Sequence, residues 1–175
     1  MIEPLPLTIT RAWAMPCRDT LSIKPIKELV DRHIDGVSVD PFSRNCGLCT
    51  FTNDLDPDTK AKHHLDAHDF ILMLLKNGIR ANTVIFDPPY SIRQVKEVYA
   101  SVGKSFHKQD SQMAIRWPGL RDKINKLCLP GAKVITLGWN STGMGLKRGF
   151  EKIELLLVNH GSAHNDTICL VEKKQ

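Results

Sequence analysis

A doubly wound α/β sheet, mainly parallel and ending in a C-terminal antiparallel hairpin, is the fold class this sequence predicts. Three observations carry the prediction. Four short runs of β-branched and apolar residues each end in a turn former, as buried parallel strands do. Stretches with helical apolar spacing lie among these runs. The last part of the chain changes character, with two apolar runs joined by a short polar loop.

The elements follow in chain order. Ile26, Leu29 and Val30 fall at i, i+3 and i+4 after Pro25, which suits a first helical position, so a helix opens the pattern. Residues 36–39 (GVSV) make the first strand and lead into Asp40-Pro41. Residues 48–52 (LCTFT) make the second and lead into Asn53-Asp54. Phe70, Leu72, Met73 and Leu75 are dense enough for a helix packed on the sheet, with Asn77-Gly78 as its stop. Residues 83–86 (TVIF) form the third strand, ended by Asp87-Pro88-Pro89. Leu120, Ile124 and Leu127 predict another helix, closed by Pro130-Gly131. Residues 133–137 (KVITL) form the fourth strand and lead into Gly138-Trp139-Asn140. Residues 153–158 and 167–171, joined by a polar turn, predict an antiparallel pair at one sheet edge. In an open sheet of this kind ligands bind at the carboxyl ends of the strands. Three of those ends carry an aspartate.

Composition bounds the answer. A chain of 175 residues suits a single domain and buries roughly 70% of its unfolded surface without disulfides or a structural metal. With 42% hydrophobic and 25% charged residues, the chain is neither a disordered tail, a collagen-like repeat nor a coiled-coil rod. Its longest apolar runs fall far short of the ~20 residues that span a bilayer, and the first residues lack the pattern of a secretory signal. Five cysteines are an odd, sparse set that points to a reduced, intracellular protein. The formal charge of +5 is a mild hint of a polyanionic partner.

The most specific feature is Asp87-Pro88-Pro89-Tyr90, directly after an apolar run. Two prolines fix φ twice and remove two N–H groups, leaving a rigid turn that presents carbonyl oxygens without competing donors. A carboxylate beside such a carbonyl provides two acceptors for the two hydrogens of an NH2 group, and Tyr90 adds a flat face for an aromatic ring. An exocyclic amine on a nucleobase fits all three features. A proline-rich turn capped by an aspartate is the plainer alternative.

Residues 87–90 resemble the DPPY motif of S-adenosylmethionine-dependent amino-methyltransferases, which methylate adenine N6 or cytosine N4. The resemblance extends over roughly residues 11–174, and its order of segments is similar to short phage-type adenine-specific DNA methyltransferases. Asp40, Pro41 and Phe42 stand where that family has a D-P-F-x-G-like loop. Asp54, with Leu55, stands at the position that binds the cofactor ribose, and Asp66, with Ala67, near the cofactor adenine. Lys24 falls in a segment (residues 20–26) that resembles an upstream cofactor-contacting piece. Arg44 stands where the loop usually has glycine, which is delayed here to Gly47. A side chain there could crowd the methionine end of the cofactor or pair with its carboxylate.

The resemblance implies a Rossmann-like methyltransferase fold and S-adenosylmethionine as cofactor. It implies DNA as the partner, single-stranded DNA or RNA being alternatives, with no membrane, a cytoplasmic location in a bacterial or phage-infected cell, and a homodimer as one possible state. Asp87, Pro88, Pro89 and Tyr90 would serve catalysis. The same chemistry on cytosine N4 or an RNA adenine, and a non-catalytic binding module, are the rival readings. A target base inside a duplex would have to be flipped out. No separate target-recognition domain fits in the length, so residues 1–175 are expected to be one domain, with short or loose sequence preference or with recognition supplied by a second subunit.

Cys46 and Cys49 form a lone CxxC whose spacing to the next histidines is imperfect for zinc, so inert thiols and no metal site are expected. Between residues 91 and 117, Arg93 and other basic residues alternate with aromatics, a mixture suited either to nucleic acid or to a solvated helix and loop. Trp139 and Asn140 are expected to line the target pocket. Lys147 and Arg148, just beyond, could touch phosphate.

Overall fold

The computed structural model describes residues 6–89, 95–96, 99–100, 103, 113–161 and 163–175, with the side chains of residues 113–116 set aside. Among these the elements are β1 (Thr8–Trp13), α1 (Lys24–His33), β2 (Ser38–Asp40), β3 (Phe51–Thr52), α2 (Ala67–Lys76) and β4 (Ala81–Phe86). Then follow α3 (Met113–Leu127), β5 (Cys128–Gly138), β6 (Phe150–Asn159) and β7 (Thr167–Lys174). The strands form one sheet in the order β1-β6-β7-β5-β4-β2-β3. β7 runs antiparallel to both its neighbours and every other pairing is parallel. The predicted α/β class is therefore the observed one, C-terminal hairpin included.

Alternation along the central strands sorts the core into two layers. Val84, Phe86 and Val134 face α2 and α3, where Phe70, Ile71, Leu74, Leu120, Ile124 and Leu127 meet them. Ile85, Ile135 and Leu137 face the opposite way, toward Ile26, Leu29 and Val30 of α1. Both faces of the sheet are thus covered, which is why its central strands read as continuous apolar runs rather than as alternating ones.

Helix ends follow local chemistry. α1 begins at Lys24 with Pro25 in its first turn, where a missing N–H costs nothing. The Asp66 carboxylate caps α2 by accepting from the His68 N–H at 2.9 Å. α2 stops at Asn77-Gly78, as expected, with Gly78 at φ +71° and its N–H bonded to the Leu75 carbonyl.

Four details differ from the sequence expectation. First, the chain opens with a strand, not a helix: β1 pairs in parallel with β6 over its whole length. Second, β1 consequently occupies the sheet edge, and the β6–β7 hairpin lies inside it. Third, the second strand is only Phe51–Thr52, because the chain before it is joined to β2 by hydroxyls. The Thr50 N–H donates to Ser38 Oγ at 3.0 Å, in place of a backbone ladder. Fourth, Pro130-Gly131 does not close α3, which ends at Leu127. Ala81 pairs with Cys128 but Thr83 with Lys133, so the strand bulges opposite Asn82, with residues 129–131 exposed, where proline is tolerated, and Ala132 turned back into the core.

Candidate functional site

Parallel strands β2, β3, β4 and β5 all end at one side of the sheet, and a cavity of about 630 Å³ opens there. That volume is within the usual range for a small-molecule site. The turn after β4 contributes Asp87, Pro88 and Pro89 to its wall. The turn after β2 contributes Pro41 and Phe42, and that after β3 contributes Asp54 and Leu55. Asp66 and Ala67 reach it from the start of α2, and Trp139 from the end of β5. Tyr90 and Arg93 lie outside the described residues.

The floor is built by short-range polar contacts that the sequence encodes locally. Asp40 ends β2 and is buried; its Oδ1 accepts the Phe42 N–H at 2.9 Å, an Asx turn that swings the chain toward the cavity. Asn53, also buried, ties three segments together. Its Nδ2 donates to the carbonyls of Pro41 at 3.1 Å and Leu65 at 3.0 Å, while its Oδ1 accepts the Leu65 N–H at 2.9 Å. Asp54 accepts the backbone N–H groups of Arg44 and Asp56, both at 3.0 Å. Asp66 has the cap of α2 as a defined structural task besides facing the cavity.

Arg44 is the one non-glycine residue with positive φ among those described, at +48°. The loop therefore keeps the left-handed turn of a glycine position while carrying a side chain there. Arg44 lines the cavity, and its Nε donates to Asp19 Oδ1 at 3.0 Å.

The electrostatics are dominated by acid. Among the described lining residues are the carboxylates Asp54, Asp56, Asp66 and Asp87, with Asp40 beneath them. Burial pushes the Asp40 carboxyl up to about 8, opposed by the Phe42 N–H and reinforced by the charges of Asp87 and Asp54. Such a site suits a ligand that brings positive charge or hydroxyl and amine donors.

Beyond Trp139, the segment after β5 is anchored on β7 by residues that do not line the cavity. Glu172 of β7 is fully buried and accepts the N–H groups of Met144 and Gly145. Burial raises its carboxyl above the usual range despite these bonds. Gly143 sits at φ +56°, where a Cβ would lie 2.1 Å from Glu172 Oε2, so only glycine fits the clasp. Trp139 is held 43% exposed at the cavity.

Not every predicted residue converges. Lys24 starts α1 with its amine in solvent near Glu28. Asn140 is exposed and accepts the Thr142 N–H. Arg148 is engaged by Asp122 at 2.7 Å and by the Met144 carbonyl at 3.0 Å, and Lys147 is exposed. None of these four, nor Asp40, is among the residues lining the cavity. Cys46 and Cys49 form no disulfide, and burial raises both thiols. Among the described residues, no group of three or more His, Cys, Asp or Glu is arranged to hold a metal ion, and no helix is long and apolar enough to cross a membrane.

The structure also adds residues to the site. Asn53 and Thr167 line the cavity, and so do His160 and His164 of the polar turn between β6 and β7, which the sequence offered for the target side, together with Tyr99 and Trp117 from the basic and aromatic segment. His160 bridges the Ala14 carbonyl at 2.7 Å and the Thr167 hydroxyl at 2.8 Å. Phe42, Phe86 and Trp117 form an edge-to-face cluster with centroids 5.7–6.2 Å apart. Long-range pairing of this kind leaves no signature in residue spacing.

No protein-family model matches the sequence, nor does any curated protein. Solved structures do. SMU.776, a methyltransferase in complex with SAH, is similar over 78% of this chain and 44% of its own, at 12% identity and a TM-score of 0.53. TrmN from Thermus thermophilus matches over 87% of this chain and 48% of its own, at 16% identity and a TM-score of 0.51. A SAM-dependent methyltransferase from Streptococcus mutans matches over 90% and 49%, at 12% identity and a TM-score of 0.57. The chain spans about half the length of these structures. At such identities the likeness is one of fold: the sheet described above is the Rossmann-like sheet of these methyltransferases.

Proposed function

We propose that this chain transfers a methyl group from S-adenosylmethionine to the exocyclic N6 amine of adenine in DNA. The observation that carries the reading is a juxtaposition: Asp87, Pro88 and Pro89 share one cavity with Asp54, Asp66 and Phe42. Acceptors for an amine and acceptors for a nucleoside ligand thus open on the same space. The methyltransferases that share the fold, one solved with SAH, support the choice of cofactor.

The residues fit that cofactor chemically. Asp54 would take the ribose hydroxyls, and Asp66, Ala67 and Phe42 would flank the adenine. The acidic wall suits a net cation. When bound, S-adenosylmethionine supplies an electrophilic methyl group on a sulfonium.

The chain's own residues supply position. The N6 lone pair of adenine is delocalised into the ring, so the nitrogen is a poor nucleophile. Accepting its two hydrogens at the Asp87 carboxylate and the Pro88 carbonyl favours a pyramidal nitrogen with more localised electron density. Asp87 need not be a strong base, because the amine proton becomes acidic only as the N–C bond forms. Fixing both reactants in one geometry contributes ~7–11 kcal/mol toward lowering the barrier. Trp139, at the cavity, offers a face on which a base outside the duplex can stack, and Tyr90 of the motif would offer a second.

The test is incubation with labelled S-adenosylmethionine and DNA or RNA, followed by nucleoside mass spectrometry. N6-methyladenine in DNA is the expected product. N4-methylcytosine, or methyladenosine in RNA, would replace the acceptor. No methylated product together with no calorimetric cofactor binding would leave a non-catalytic module. Asp87→Ala is expected to retain cofactor binding and to lose roughly 10²–10⁴-fold in rate; undiminished transfer in that variant refutes the role.

A further inference from the structure

Charge around the cavity is unevenly distributed. The strand-end turns and the start of α2 contribute carboxylates, Asp54, Asp66 and Asp87. The guanidinium groups among the described lining residues, Arg18 and Arg44, belong to one segment and one loop that meet: Arg44 reaches Asp19, the neighbour of Arg18. Arg18 is exposed, whereas the Arg44 side chain keeps only 34% of its accessibility. Backbone and side chain of Arg44 are both fixed. Its N–H is bound by Asp54 Oδ2 at 3.0 Å, and its Nε by Asp19 Oδ1 at 3.0 Å. The Asp19 bond engages Nε, so the edge formed by the two Nη groups is the one suited to gripping a carboxylate through two parallel bonds.

We infer that Arg44 is the counter-ion for the carboxylate of the cofactor's amino-acid end, and that it sets the direction in which the cofactor lies. The inference rests on the proposed use of S-adenosylmethionine and goes beyond it by assigning the zwitterionic end to one residue. A ligand carrying two cationic groups and one carboxylate matches a cavity of many carboxylates and one half-buried guanidinium in a single orientation. Reversed, its carboxylate would lie among the aspartates and its uncharged adenosine would face Arg44, leaving the guanidinium without its anion. The left-handed backbone at residue 44 is tolerated because the side chain it carries has this task.

Calorimetry with two probes separates the possibilities. S-adenosylmethionine carries the amino-acid end; 5′-methylthioadenosine keeps the adenosine and sulfur and lacks that end. Arg44→Gly retains a residue that adopts φ +48° without strain. It is expected to weaken S-adenosylmethionine roughly ten- to a hundredfold, the effect of losing a charged hydrogen-bond pair, and to leave 5′-methylthioadenosine within about twofold. Arg44→Lys, which keeps the charge but not the fork, should show a smaller loss confined to the same probe. Equal losses for both probes, or none for either, overturn the assignment. Unchanged cofactor binding with weakened nucleic-acid binding also overturns it, in favour of a phosphate contact. Failure of the wild-type protein to bind either probe removes the cofactor reading itself, a result distinct from any of these.

Discussion

Asp40→Asn should make the protein more stable, by an amount that grows with pH. Asp40 is 2% exposed, and its carboxyl titrates near 8 in the fold against 3.8 when free. The folded pKa lies above the unfolded one, so the native state holds a proton that the unfolded chain releases. The corresponding stabilisation is complete below pH 3.8 and is lost as pH rises through about 8. Within that window the wild-type protein loses about 1.4 kcal/mol per pH unit from this one group. Asparagine cannot titrate, and its Oδ1 can still accept the Phe42 N–H that shapes the turn. Between pH 5 and pH 7 the variant should therefore gain about 3 kcal/mol on wild type, or on the order of 6–12 °C in Tm for a chain of this size. Urea unfolding of both proteins at pH 5, 6, 7 and 8 measures it. Parallel stability profiles for the two proteins would refute the reasoning, since they would mean that residue 40 ionises as freely in the fold as outside it.

Two further perturbations test Trp139 at the cavity and the Glu172 clasp of the segment that follows it. Trp139→Ala should weaken nucleic-acid binding by about 1–3 kcal/mol, the stacking contribution of one base, and leave cofactor affinity unchanged; fluorescence anisotropy with a labelled oligonucleotide reads it, and an equal loss of cofactor affinity would place Trp139 elsewhere in the site's economy. Gly143→Ala puts a Cβ 2.1 Å from Glu172 Oε2 on a backbone at φ +56°. It should destabilise the fold by more than about 1 kcal/mol, visible as a lower urea midpoint, and a neutral outcome would show that the Glu172 clasp is not required.

The sequence made the strand ends legible because each apolar run in the sheet's centre is buried on both faces and stops at a residue chosen for its turn. Asp40, Asp54 and Asp87 are visible for that reason, as is the Asn77-Gly78 stop. β1 was not legible, because its side chains invert the usual rule. Ile9 and Trp13 are 63% and 65% exposed, while the small Ala12 faces the core, so the strand shows no inward apolar face. Basic residues were the least readable. Lys147 and Arg148 look alike as charges, yet Arg148 binds Asp122 and two backbone carbonyls across the fold, and Lys147 stays in solvent. Partners 26 or 30 residues away are set by tertiary packing, which local spacing does not record. Asn53 reads as a plain turn former in the sequence for the same reason, though its three bonds hold the cavity floor together.

The position of Asp40 turns these observations into one argument about charge. It does not line the cavity, so it acts on a ligand through its field rather than by contact. Its ionisation is opposed by burial and by Asp87 and Asp54. A bound cation relieves that opposition, and by reciprocity an ionised Asp40 strengthens the cation's binding. Cofactor affinity should then rise with pH over the upper part of the interval in which wild-type stability falls, from the pKa of Asp40 in the complex to about 8, and in Asp40→Asn this group's contribution to both slopes should vanish. The variant would be the more stable protein and the weaker binder, because the same buried carboxylate burdens the empty fold and favours the occupied one.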